Sequence, residues 1–307
     1  MNIDFIVIIL SRALTAGTPL LFGTVGEVFT ERSGIMNLGI EGMMSVGALS
    51  AFVVTFYTNN PWLGLAAGAL GGMLLSLLHA FIVITIKASQ VISGLALSMF
   101  GIGLTGLLGK PFIGLQLKVK WVSLSWGFLS KLPMIGPVFF SRDILFYISV
   151  ILTGFIWFFL YRSRAGILVR SCGENPLAVK SMGYSPASIQ YRSVMAGGFL
   201  CGMGGAYLSL VYNPTWIEGV VGGRGWIVVA LTIFASWNPI KAFIGAYLFG
   251  GVYVLQYLLQ KYHISPNLLM MMPYFITIFV LWVGSLSNQK RASSCPAALG
   301  DSVLEEP

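Results

Sequence analysis

The feature that most constrains this chain is a succession of apolar runs, many near the roughly 20 residues that an α-helix needs to cross a ~30 Å hydrocarbon core. They read as helices over Ile3–Val25, Met43–Tyr57, Leu63–Ile86, Val91–Leu108, Asp143–Tyr161, Ser193–Tyr212, Trp226–Trp237, Ile240–Leu259 and Leu268–Ser285, the seventh of them short. Backbone in lipid must satisfy its own N–H and C=O groups, which leaves only helices and closed barrels. Barrel strands would show short alternating segments; none of these runs does. The fold expected is therefore all-α, a polytopic transmembrane helical bundle of about 8–10 crossings. Residues 1–288 form that domain, and 289–307 read as a polar, disordered tail.

Composition agrees, with 56% hydrophobic and 9% charged residues against roughly 25% charged in a soluble domain. The net charge of +8 sits mainly in loops between apolar runs, where membrane orientation accounts for it better than nucleic acid does. The N-terminus lacks a basic leader region and Arg12 interrupts its apolar run, so the first helix is expected to stay. Within the third run, Gly64, Gly68 and Gly72 recur at four-residue spacing and prepare one face for close helix contact.

Several chemistries are missing. The nearest approach to a phosphate loop, GLTGLLGKPF, has Leu104 where the first glycine belongs and Pro111 where Ser or Thr would bind magnesium. The chain is expected to bind no ATP, metal or other cofactor. His79 and His263 have no second ligand at metal spacing, and His79 is expected to bond a neighbouring helix. The three cysteines, Cys172, Cys201 and Cys295, show neither metal nor disulfide spacing and read as structural. No nucleophile, base and orienting group can be assembled, so no catalytic residues are assigned.

Between the fifth and sixth runs lies a polar segment, Tyr161–Arg192, carrying Arg162, Arg164, Arg170, Lys180 and Arg192 against the single acid Glu174. The bias of basic residues toward the cytoplasm places it inside, together with Glu27–Arg32, Lys87, Lys241 and the tail, and leaves the N-terminus outside. Lys110, Lys118, Lys120, Lys131 and Arg142 then fall outside and disagree. In the segment, Asn175 or Glu174 can cap a short helix that starts at Pro176 and stops at Gly183 in a left-handed cap. On spacing alone this is equally a docking helix or a plain basic loop.

The run from Gly166 through Arg170, Gly173, Glu174, Asn175, Pro176, Ala178 and Gly183 resembles the coupling loop of ABC importer permeases. The group is the one that carries branched-chain amino acids, simple sugars and nucleosides, and its pattern is G-x-x-x-R-A-x-G-x-N-x-x-A-A-x-x-x-G-I. Ser171 and Val179 stand for the usual alanines and Tyr184 for the isoleucine. The resemblance implies that residues 162–192 fit a cleft on a separate ATP-binding subunit, which holds the ATP and magnesium. Glu31 to Met44 is similar to the E-R-[SA]-G-x-x-N-[IL]-G-x-E-G-x-M run of the nucleoside-type permeases. It implies a nucleoside importer working by alternating access in the bacterial cytoplasmic membrane. The implied partners are a second permease, as a heterodimer or else a homodimer, and an extracytoplasmic substrate-binding protein or lipoprotein, amid membrane lipid and without nucleic acid.

Asn37, Gly39 and Glu41 are candidates for the solute path, because the glycines around them let backbone unwind where it lines a cavity. The alternative is an interhelical hydrogen bond, from Glu41 to Arg12 or to a backbone amide, since an unpaired acid in the membrane is costly. Arg224, in the glycine-rich run Gly222–Trp226, could face the same path from the other half of the chain. Sugars or branched-chain amino acids are the alternative cargo. An ion-coupled secondary transporter would use Glu41 as a titrating group but leaves the coupling segment without a purpose, and a membrane enzyme lacks a catalytic set.

Overall fold

The computed structural model describes residues 3–119, 121–125, 127, 130, 132, 135–260, 265, 268–269, 271–286 and 295–301. It is a helical bundle, and among the described residues six helices are long and apolar enough to cross a membrane. These are α1 (Ile3–Glu31), α2 (Ile40–Thr58), α3 (Pro61–Ala80, continued as a π-turn), α4 (Gln90–Leu108), α6 (Ile144–Arg162) and α9 (Pro186–Tyr207, also continued as a π-turn). Two further apolar helices follow, α11 (Pro239–Leu259) and α12 (Met272–Leu286). Short helices fill the gaps: α5 (Ile135–Phe139), α7 (Arg164–Glu174), α8 (Pro176–Ser181) and α10 (Arg224–Phe234). A two-stranded antiparallel ribbon pairs Ser123–Ser125 with Ser141–Asp143, inside the 110–142 loop.

Helix boundaries follow local chemistry. Asn60 caps α3 ahead of Pro61, Asp143 caps α6, Ser185 caps α9 ahead of Pro186, and Asn238 caps α11 ahead of Pro239, each accepting from backbone N–H groups that a helix start leaves unpaired. The centre of the bundle is α9, buried along most of its length against α1, α2 and α3. Glycine makes this possible. A Cβ added to Gly68 would lie 2.7 Å from the Gly47 carbonyl oxygen, and one on Gly72 would meet Gly198 and Gly202 of α9. Lipid tails give helices no hydrophobic reason to associate, so close backbone approach supplies the packing.

The contacts define two ends. At one, Arg32 of the chain leaving α1 reaches Ser236 and Trp237 beyond α10, and Gly34 lies against Gly173 of α7. At the other, Gly109 meets Trp216, and Gln116 bridges Thr215. Lys110 and Lys118 thus lie at the end opposite the coupling segment, and the disagreement with orientation by charge stands. Arg142 is not a free surface charge: it is buried and donates to the carbonyls of Ser11 (2.8 Å), Val138 (2.7 Å) and Pro137 (3.0 Å). Burial lowers its pKa, offset by Tyr207 and Asp143.

The tail departs from expectation. Residues 295–301 form a turn seated on the coupling end, where Ala298 N–H donates to the Gly173 carbonyl at 2.8 Å and Gln90 Nε2 donates to the Asp301 carbonyl at 2.7 Å. Disorder therefore does not describe this part of 289–307.

Candidate functional site

Two polar regions carry the candidate residues. The first is the coupling segment. Ser163 caps α7 by accepting from Gly166 N–H at 2.9 Å, and Asn175 caps α8 by accepting from Ala178 N–H at 3.0 Å. Pro176 occupies the first turn of α8, and Gly183 closes it at φ +85°, a region open to glycine without steric cost. Gly166, Arg170 and Gly173 face the bundle. Gly166 leaves room for the Phe159 carbonyl and Gly173 for the Arg32 carbonyl. Arg170 Nε donates to the Leu160 carbonyl at 2.9 Å, with its guanidinium 4.9 Å from the Tyr161 ring centre. Cys172 is fully buried beside Gly173, and burial pushes its thiol up to about 11, so it fills space as a protonated group.

The motif thus splits in two. Gly166, Arg170 and Gly173 fasten the hairpin of α7 and α8 to the bundle, while Glu174, Asn175 and Ala178 stay exposed. Beside these exposed positions stand four large apolar side chains that motif reasoning missed: Ile167, Leu177, Met182 and Tyr184, each at least half exposed. Their signal was available as apolar residues inside a polar segment. Together with Arg164 and Lys180 they make a mixed apolar and basic surface.

The second region lies inside the bundle, where the chain before α2 and the chain before α10 meet. Glu41 Oε1 accepts from Gly223 N–H at 2.8 Å and Oε2 from Gly225 N–H at 2.7 Å. Its carboxylate therefore satisfies N–H groups at the N-terminus of α10, a helix of 11 residues spanning about 16 Å. A helix that starts at mid-depth leaves N–H groups that water cannot reach, and an anion at that end also suits the helix dipole. Of the two hydrogen-bond partners considered for Glu41, Arg12 and a backbone amide, it is backbone amides that it bonds.

Asn37 is likewise committed. Its Nδ2 donates to Glu27 Oε2 at 3.1 Å and its backbone N–H to Glu27 Oε1 at 3.2 Å, while its Oδ1 accepts from Gly39 N–H at 3.0 Å. Glu31 accepts from the Trp237 indole, and Arg32 donates to the Trp237 carbonyl at 3.0 Å. His79 behaves as the sequence suggests: its Nε2 donates to the Met36 carbonyl at 3.1 Å, which leaves Nδ1 to accept from Ser93 Oγ at 3.0 Å. His263 lies outside the described residues.

Asn37, Gly39, Glu41 and Arg224 are all buried, and Arg224 also borders a cavity. Among the described residues no group of three or more metal-ligating side chains occurs.

Comparison with known proteins places nearly the whole chain among transport permeases. A family described as "Branched-chain amino acid transport system / permease component" matches residues 9–281. TsgC13 of Haloferax volcanii, named as the proposed permease of a glucose ABC transporter, is 36% identical, with 97% of this chain and 98% of that protein covered. The nucleoside ABC transporter permease NupC of Lactococcus lactis is 33% identical over 89% of this chain and 91% of its own. The guanosine ABC transporter permease NupQ of Bacillus subtilis is 32% identical over 91% and 92%.

Proposed function

The chain belongs to the branched-chain amino acid transport system permease family, and from that premise we propose that it is the membrane permease of an ATP-driven importer of nucleosides. That it is a multi-pass ABC permease of the nucleoside and sugar type, and not itself an enzyme, rests on relatives matched over nearly their whole length. Nucleosides as cargo are the finer reading. The observation that carries it is the pair of relatives named for nucleoside and guanosine transport, each matched over about nine-tenths of this chain. The Glu31–Met44 segment adds support. Glucose is the second reading, favoured by TsgC13.

The two polar regions support the following working cycle. A substrate-binding protein delivers the solute at the outer end, and an ATPase subunit grips the exposed face of α7 and α8. Closure of the ATPases around ATP and magnesium moves α7. Gly173 and Gly34 pass that movement to the chain joining α1 to α2, and the bond from Glu41 to α10 carries it to the other half. A second permease completes the translocator, as a heterodimer in the cytoplasmic membrane. An ion-coupled mechanism through Glu41 is disfavoured because both carboxylate oxygens are already engaged. Inactivating ATP hydrolysis in the ATPase subunit is expected to abolish nucleoside uptake, measured with radiolabelled nucleoside in cells; unimpaired uptake would overturn the proposal.

A further inference from the structure

Toward the end of the bundle opposite the coupling helices lies a cavity of about 490 Å³, bordered among others by Tyr212, Asn213, Arg224, Tyr253, Gln256 and Tyr274. Its size falls within the roughly 300–1,000 Å³ of small-molecule sites. Arg224 is only 7% exposed. Its guanidinium centre lies 5.0 Å from the Tyr212 ring centre and 4.7 Å from that of Tyr253. Nη1 is spent on the carbonyls of Val220 (3.2 Å) and Val221 (2.8 Å), which fixes the group in place. Nε is buried with no acceptor among the described residues, a costly arrangement for a charged donor unless something else completes it.

A carboxyl lies close to this charge. Glu41 bonds the N–H groups of Gly223 and Gly225, on either side of Arg224 in the chain. The site thus offers a fixed donor without a large net field, aromatic faces, and two amide side chains, Asn213 and Gln256. That combination suits a flat, uncharged solute rich in hydrogen-bonding groups. A guanidinium pairs best with two adjacent acceptors, as on the O6 and N7 edge of a 6-oxopurine. A 6-aminopurine places a donor at the same edge and meets donor with donor.

We propose that this cavity is the permease's own solute contact, holding the base of a 6-oxopurine nucleoside with Arg224 donating to its O6 and N7 edge and Tyr274 offering a stacking face. The inference rests on the nucleoside reading above and sharpens it to one class of base. It also assigns selectivity to the permease in addition to the binding protein.

The test uses the complete transporter, with partner permease, ATPase and binding protein, reconstituted in proteoliposomes and supplied with radiolabelled guanosine or adenosine. Wild type is expected to favour guanosine, and Arg224→Gln to lower the guanosine to adenosine uptake ratio on the order of tenfold. Tyr274→Leu, at a residue 41% exposed, keeps the question open to test where Arg224→Gln fails to assemble, and is expected to lower uptake of both nucleosides about fivefold. An unchanged ratio in Arg224→Gln, or unaltered uptake in Tyr274→Leu, overturns the inference alone. Wild type that imports glucose and no nucleoside overturns the nucleoside reading, and this inference with it.

Discussion

The coupling segment and the buried junction between α2 and α10 use the same residue types to opposite ends. In the coupling segment, glycines let α7 lie against backbone on one side, and the other side is left with exposed apolar and basic groups. At the junction, the acids and amides that catch the eye in the sequence, Glu27, Glu31, Asn37 and Glu41, are spent on the protein itself. Solvation explains the difference. At the membrane surface water satisfies a free polar group, so exposure costs little and a partner can take its place. At membrane depth an unpaired acid or N–H is expensive, so polar residues there are first of all one another's partners. Among the described residues, Arg224 combines a buried donor without an acceptor and a position beside a cavity.

Four changes to the chain would break or sharpen that contrast. The largest effect is expected at Glu41→Ala, which orphans two buried N–H groups at a cost on the order of 1–3 kcal/mol each. The permease should fail to accumulate in membranes, as read by immunoblot, and Glu41→Gln, keeping one acceptor oxygen, should be intermediate. Normal accumulation of Glu41→Ala would show that the junction does not depend on this bond.

Next is Gly173→Val, whose Cβ would collide with the Arg32 carbonyl. The coupling helix must then shift, so ATP hydrolysis by the assembled complex should persist while uptake falls by about tenfold or more, a loss of geometry rather than of fold. Tight coupling in this variant would place the transmission elsewhere.

The double change Leu177→Glu and Met182→Glu tests the exposed face. Both side chains are more than half exposed, so the permease should accumulate normally, yet the ATPase subunit should no longer co-purify with it. Retained co-purification would mean that this surface is not the docking face. Smallest is deletion of residues 295–307, which removes the bonds from Ala298 to Gly173 and from Gln90 to Asp301. Faster hydrogen exchange in α7, with uptake reduced about twofold at most, is expected from the loss of two hydrogen bonds worth roughly 1 kcal/mol each.

Much of this was legible in the sequence. The helical class followed from the apolar runs, and the caps at Asn175 and Gly183 followed from residue chemistry that acts within four positions. The glycine stripe of α3 was also visible, because its spacing names a face. What could not be read were partners distant in the chain. Glu41 meets Gly223 and Gly225, some 180 positions away, and nothing local distinguishes an acid that caps a distant helix from one that lines a path. Arg142 counted as a basic residue of an outer loop until its bonds to α1 and to its own loop were seen. The tail was polar enough to be taken as disordered throughout, yet 295–301 finds partners on α7 and α4 through the Ala298 N–H and the Asp301 carbonyl, main-chain groups that a polar composition does not reveal. The tyrosines of the cavity come from α12, α11 and the end of α9, so no single stretch could announce them.

The most direct measurement of the central claim is ATP-dependent uptake by the complete reconstituted complex, offered radiolabelled nucleoside and radiolabelled glucose side by side. Nucleoside accumulation that requires ATP, with excess unlabelled glucose failing to compete, is the predicted result. Glucose uptake that unlabelled nucleoside does not inhibit, or nucleoside uptake that continues without ATP, would contradict it.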